Sequence, residues 1–451
     1  MPSSNRILNA RARIRSGRLG TLLRELGDRP PPARLGTGRG ALWVALVAIT
    51  FVGMSHPKMI ETHMPTVFMW VCGAVAVVVL IDYRSVRLPR IPTLVVAFLG
   101  FCLLSIVWSS DRPATWYAVL YYSAMALVAS ILVANTSRHL FIRGLAVGGI
   151  SVMALSWGAV VIGHPNAFAP NTVAVLQGIY GNRNIMAYVV VFGLCALLAD
   201  RYRTWPGEMF RLIVLAGGLF TLYAASSGTG TVVGAALLAT AVVRFVLLRM
   251  TPAVRRVAVV AAAGVFCVAG VLAVLNFGRI SAVLGKDASF SGRTPVWEGI
   301  LTVFPGAPVG GYGWGSVWAY AWYSIEDSEI RDLINASVRS PLNHGHNAVL
   351  DVLIQVGVLG TLIYLAIVGL SLARALRGPA RSTDYDRTWV ILVVVAIMLG
   401  GLTEPLFATP IGWFHVVAMA ACTAPQRLRE RIDGSILGER PTHAPSRVAR
   451  A

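Results

Sequence analysis

Long runs of almost uncharged apolar residues recur from about position 41 to position 423. Runs of that length leave few folds open. In lipid every backbone N–H and C=O must be satisfied internally, so only helices and closed barrels span a bilayer. Continuous apolar runs, as opposed to alternating ones, are the helical signature. The 451 residues are 56% hydrophobic and 13% charged, and a soluble chain carries about 25% charged residues. The mean hydropathy is +0.67. The expected fold class is therefore all-α, a polytopic integral membrane helix bundle.

Twelve apolar spans are expected, at 41–54, 65–81, 91–108, 115–134, 141–162, 185–199, 211–226, 230–248, 257–275, 347–370, 388–402 and 411–423. The formal charge is +19, nearly all of it arginine. In a soluble protein this would suggest nucleic acid. Here the arginines flank spans and read as topology determinants, so no nucleic-acid partner is expected. With the N-terminus inside, the inside connectors hold Arg84, Arg87 and Arg90, then Arg138 and Arg143, then Arg201, Arg203 and Arg211, then Arg249, Arg255 and Arg256, and then Arg374, Arg377, Arg381 and Arg387. The short outside connectors hold only Lys58, Arg112 and Arg183 among the cations, with Glu61, Asp111 and Glu404. Both termini are thus expected in the cytoplasm, as basic tails at 1–40 and 424–451 held near anionic membrane lipid.

The five cysteines lie in or at the ends of apolar spans, and none is in a C-x-x-C pattern. They predict neither disulfides nor a metal site. Apart from Asp351, the spans are almost bare of charge, which argues against a proton-coupled transporter.

The organisation is 41–275 for spans one to nine, 276–346 for a large extracytoplasmic loop, and 347–423 for the last three spans. The loop is the one long departure from the apolar pattern, and function concentrates in such loops. Within it, 295–304 has the spacing of a short helix with one apolar face, expected on the membrane surface. Arg293 precedes that helix, where it adds to the positive end of the dipole and suits an anion. The run Gly311-Tyr312-Gly313-Trp314-Gly315 is too rich in glycine for a regular helix and would let backbone approach a ligand. The aromatics Tyr312, Trp314, Trp318, Tyr320, Trp322 and Tyr323 read as an interfacial belt or as sugar-stacking platforms. Ser226 to Thr231 is a hairpin turn or an anion site. His346 is expected to begin the tenth span, where the helix dipole favours its neutral, basic form. On a helical wheel Gly357 and Gly360 fall within about 40° of it. Asp351 and Gln355 point the other way.

The His346-Asn347 pair, nine residues, then Gly357-x-x-Gly360 resembles the signature of the O-antigen ligase and polymerase superfamily. The Ser291-Gly292-Arg293 and Trp297 element, the Gly-Tyr-Gly-Trp-Gly run, the Trp108-Ser-Ser-Asp111 end of span three and Asn182-Arg183-Asn184 are similar to that family as well. One departure is that the arginine expected after span seven is missing from Ser226-Ser227-Gly228-Thr229; Arg183 is the best substitute. The resemblance implies a glycosyltransferase that takes a glycan from a polyprenyl-diphosphate donor and passes it to a glycan, lipid or protein acceptor outside the cytoplasm. His346 would be the base. Arg293 first, then Arg183, would bind the diphosphate. Asn347, Gly313, Trp297 and Trp314 would contact substrate. Inversion is expected, with no metal and no cofactor. A transporter, or a non-catalytic partner of an envelope polysaccharide machine, is the alternative.

Overall fold

Polar caps and prolines set where the helices begin. Asp111 accepts from the Ala114 N–H, with Pro113 in the first turn behind it. Asn182 accepts from Asn184 and Ile185, Ser227 from Gly230, and Thr409 from Gly412 ahead of Pro410. Each such cap contributes about 1 kcal/mol. A computed structural model of the chain describes residues 38–59, 64–83, 86–170, 175–202, 204–251, 293–318, 328–336, 342–377 and 385–424, with isolated positions between. Among these residues the regular elements are helical. The long ones are α1 Gly38–Met54, α2 Met64–Ile81, α3 Thr93–Leu104, α4 Arg112–Asn135, α5 Arg138–Val161, α6 Arg183–Ala199, α7 Trp205–Ala224 and α8 Gly228–Leu247. The short α9 Thr294–Val303 and α10 Glu329–Asn335 follow, then α11 Ala348–Arg377, α12 Tyr385–Gly400 and α13 Pro410–Thr423.

Eleven of the twelve apolar stretches coincide with one helix each. Nearly all of the ninth, 257–275, lies outside the described residues, as do nearly all of both basic tails, 276–292 and the aromatics Tyr320, Trp322 and Tyr323. By length and composition α4, α5, α7, α8 and α11 can each cross a membrane, and the chain is a multi-pass membrane protein. Among the shorter helices α6 and α13 are interior. The 14 residues of α13 reach only about 21 Å, and nearly all of them are buried.

Small residues let the helices approach. A Cβ on Gly149 of α5 would stand 2.6 Å from the Gly193 Cα of α6, and one on Gly144 would stand 2.5 Å from the Val47 Cβ of α1. Lipid gives no hydrophobic drive between helices, so backbone-to-backbone packing of this kind holds them together. By contrast α7 and α8 expose Phe210, Ile213, Phe220, Val232 and Val242.

The two ends of the bundle differ in charge. At one end Arg39 pairs with Asp82 at 2.7 Å, Arg143 with the buried Asp200, Arg211 with Glu208, and Arg138 approaches Asp386 at 3.9 Å. These arginines lie in or beside the connectors read as inside. The connectors read as outside meet at the opposite end.

The tenth apolar stretch departs from the expected helix twice. His346 has φ +49° and precedes the helix; Asn347 is the cap, accepting from Val349 and Leu350 at 3.0 and 3.1 Å. Gly357 breaks α11 with φ +62° and ψ −168°, a conformation essentially restricted to glycine. The broken ends bond to the loop after α9. Val358 N–H donates to Pro308 at 2.9 Å, and Tyr312 and Gly313 N–H donate to Ile354 and Gln355 at 3.0 and 2.9 Å. The wheel through His346 therefore does not exist. Gly357 admits the loop, since a Cβ there would lie 2.2 Å from the Val309 carbonyl oxygen. Gly360 does face a neighbouring helix, against Phe101 of α3.

That loop and α9 build a second, smaller core from Val296, Ile300, Val317, Trp318, Ile334 and Ile354. The apolar face of α9 thus packs on α10 and α11 rather than on lipid, with Leu301 left 56% exposed.

Candidate functional site

The connectors at the second end enclose a cavity of about 340 Å³. One wall carries His344, His346, Asp351, Trp318 and Glu404; another carries His56, Tyr180, Asn182 and Asn184. The turn bearing His346 is fixed through Gly345. Its N–H donates to the Asp351 carboxylate at 2.6 Å, and its carbonyl accepts from the Trp297 indole at 2.7 Å. The next link is Ala348 N–H to Gly401 at 2.7 Å. A left-handed residue that is not glycine is uncommon and costs energy, so these bonds hold His346 where it would not sit alone.

Glu404 joins two of the expected site residues. One carboxylate oxygen accepts from Arg293 at 2.7 Å, and the other stands 3.7 Å from His346 Nδ1. The second distance is too long for a hydrogen bond. It is short enough for the carboxylate to favour a proton on Nδ1, which leaves Nε2 as the basic nitrogen. Glu404 is 4% exposed. Arg293 keeps further N–H groups beyond the one given to Glu404. His344 stacks obliquely on His346 with ring centroids 3.9 Å apart. Burial first, then His346 and Arg293, hold His344 down at about 3, so it is neutral near pH 7. Burial likewise lowers His56 to about 3.

The expected residues separate into three groups. His346 and Arg293 are brought together, with Trp297 behind the histidine turn and Asn347 beside it as the α11 cap. Arg183 is exposed at the start of α6, between two cavity-lining asparagines. Gly313 and Trp314 are elsewhere. A Cβ on Gly313 would lie 2.3 Å from Ser109 Oγ, and its N–H is spent on Gln355. Trp314 is 0% exposed, edge-on to Phe98 and Tyr122 at 5.4 and 5.0 Å. The Gly-Tyr-Gly-Trp-Gly run is thus a packing device around the α11 break. The Ser226–Thr229 turn caps α8 through Ser227, and Thr229 Oγ1 bonds Thr403 Oγ1 at 2.6 Å.

Sequence reasoning missed Glu404, counted only as an outside acid, and sent Asp351 the wrong way. The available signal was Glu404 itself, the single charge in an otherwise apolar connector. Among the described residues no three His, Cys, Asp or Glu side chains group as metal ligands.

Residues 212–365 match the family model described as O-Antigen ligase. The match runs from α7 to mid-α11, so it contains Arg293, Trp297, His346 and Asn347 but neither Arg183 nor Glu404. The chain is also 23% identical, over 333 residues, to the exopolysaccharide production protein ExoQ of Rhizobium meliloti (strain 1021), covering 71% of this chain and 74% of that one. The family match over the loop that carries the histidine turn, and the long alignment with a polysaccharide protein, agree with the motif and support the O-antigen ligase family as the one this chain is similar to.

Proposed function

We propose that this membrane protein of polysaccharide biosynthesis is a glycosyltransferase. It transfers or polymerises a glycan from a polyprenyl-diphosphate donor onto an acceptor hydroxyl, on the extracytoplasmic side of the cell membrane. The observation that carries the reading is Glu404, with one oxygen on Arg293 and the other toward His346 inside the cavity. This is the base-and-orienter pairing that activates a hydroxyl. The acceptor O–H gives its proton to His346 Nε2 as its oxygen bonds the anomeric carbon. The glycosidic C–O bond breaks on the opposite face, and the electron pair leaves with the diphosphate. Arg293 and the exposed Arg183 meet the charge that develops there. Backside attack gives inversion.

The distribution of arginines supports a cavity facing away from the cytoplasm. Family resemblance supports the lipid-linked donor. The test is envelope glycan analysis in cells whose only copy carries His346→Ala, at normal membrane abundance. Mature glycan should vanish while lipid-linked precursor accumulates. Long-chain precursor would identify a ligase, and single-repeat precursor a polymerase. Unchanged glycan and precursor would overturn the reading.

A further inference from the structure

Besides His346 Nδ1, which faces Glu404, three buried polar atoms on this wall of the cavity have no hydrogen-bond partner among the described residues: His344 Nδ1, Trp318 Nε1 and Asp351 Oδ2. Leaving such atoms unpaired is costly, and native proteins rarely do so without a use. The chemistry of the three is specific. The indole N–H only donates, the carboxylate oxygen accepts, and the imidazole nitrogen can do either. None of the three carries positive charge near neutral pH, because burial, His346 and Arg293 keep His344 unprotonated. Arg293, the cation close enough to act on His344, is already answered by Glu404. With no unanswered cation among these groups, the wall offers an anion no partner. It suits a neutral molecule bearing several hydroxyls, each able to donate to one atom and accept from another. Asp351 Oδ1 holds Gly345, next to His346. A ring seated on Oδ2 is thereby placed beside the base.

We infer that His344, Trp318 and Asp351 form a subsite for a neutral sugar ring, separate from the place where the anionic leaving group sits. The inference rests on the transferase reading and adds to it a division of the cavity into sugar and anion parts.

Two substitutions report on it. Trp318→Phe removes the N–H that has no partner among the described residues, together with one ring of the indole. His344→Asn keeps a neutral polar group but shortens it. The full chain, reconstituted in lipid nanodiscs, is probed by saturation-transfer NMR with methyl glucosides and galactosides, and with inorganic pyrophosphate as the anionic probe. At least one glycoside should receive saturation from the native protein. His344→Asn should weaken that signal several-fold without lowering the unfolding midpoint, Trp318→Phe should weaken it several-fold whatever its smaller ring does to that midpoint, and excess pyrophosphate should not displace the glycoside. No glycoside contact, contact indifferent to both substitutions, displacement by pyrophosphate, or a midpoint lowered by His344→Asn would each overturn the subsite. Preloading with a polyprenyl-diphosphate-linked monosaccharide identifies the source. Glycoside contact that persists assigns the ring to the acceptor, and contact that is lost assigns it to the donor sugar. His346→Ala turnover is read separately. Turnover that depends on His346 with no glycoside contact fells the subsite alone, and the reverse fells the transferase reading alone.

Discussion

Glu404, in the turn between α12 and α13, holds Arg293, at the start of α9, by a 2.7 Å ion pair across 111 positions of sequence. Both side chains are largely buried, so the partners are not interchangeable with solvent. Glu404→Gln keeps a hydrogen-bond acceptor for Arg293 but removes the charge that orients His346. It should lower kcat about 10²-fold, within the usual worth of assisted general-base catalysis, with little change in KM. Glu404→Ala also strands the guanidinium and should cost about 3 kcal/mol of stability. Steady-state kinetics and thermal unfolding of the two variants check this.

His346 carries strain as well as chemistry. Replacement by Ala or by Gly should each reduce turnover by about 10²–10⁴-fold. At φ +49°, however, glycine is at ease and alanine is not. The Gly variant should therefore be more stable than the Ala variant by about 1 kcal/mol, seen as a higher unfolding midpoint in the same detergent.

Gly357→Ala drives a methyl group to 2.2 Å from the Val309 carbonyl in a conformation alanine does not adopt. It should detach the 308–313 loop, lower stability by roughly 3 kcal/mol or more, and raise protease sensitivity near Val309. Gly217→Ala in α7 is the control, since nothing lies within 4 Å of its added carbon. That change should stabilise the helix by up to about 1 kcal/mol.

Trp314→Ala separates packing from sugar binding. The ring is wedged between Phe98 and Tyr122, so its removal should cost about 3–5 kcal/mol of stability. A raised acceptor KM with an unchanged unfolding midpoint would instead restore the sugar-stacking role expected from sequence.

Burial of neutral His344 makes stability depend on pH. Its ordinary value of 6.5 falls to about 3 in the folded chain. Between those values the unfolded chain binds a proton that the folded chain refuses, so stability falls as pH drops from 6.5 toward 3 and is fully present above 6.5. His344→Asn should flatten that part of the curve of unfolding midpoint against pH. An unchanged slope would show that His56, lowered in the same way, or other groups dominate.

The helices were legible because each signal for them is local. An apolar run, a cap residue and a flanking arginine all act within a few residues, and eleven of the expected spans coincide with helices to within a few positions. His346, Arg293 and Asn347 were singled out for a different reason, as parts of a motif that resembles a known family.

What the sequence determined by itself is the all-helical membrane bundle and the separation of arginine-rich from arginine-poor connectors, because hydropathy and charge are properties of single segments. Tertiary structure alone decided which connectors touch. It set Glu404 between Arg293 and His346, turned Asp351 toward the histidine through Gly345, and opened α11 at Gly357 to receive the loop that buries Trp314. Each of these depends on atoms brought within hydrogen-bond distance from segments tens to hundreds of residues apart. A periodicity argument also presumes an unbroken helix, which Gly357 and the left-handed His346 do not provide.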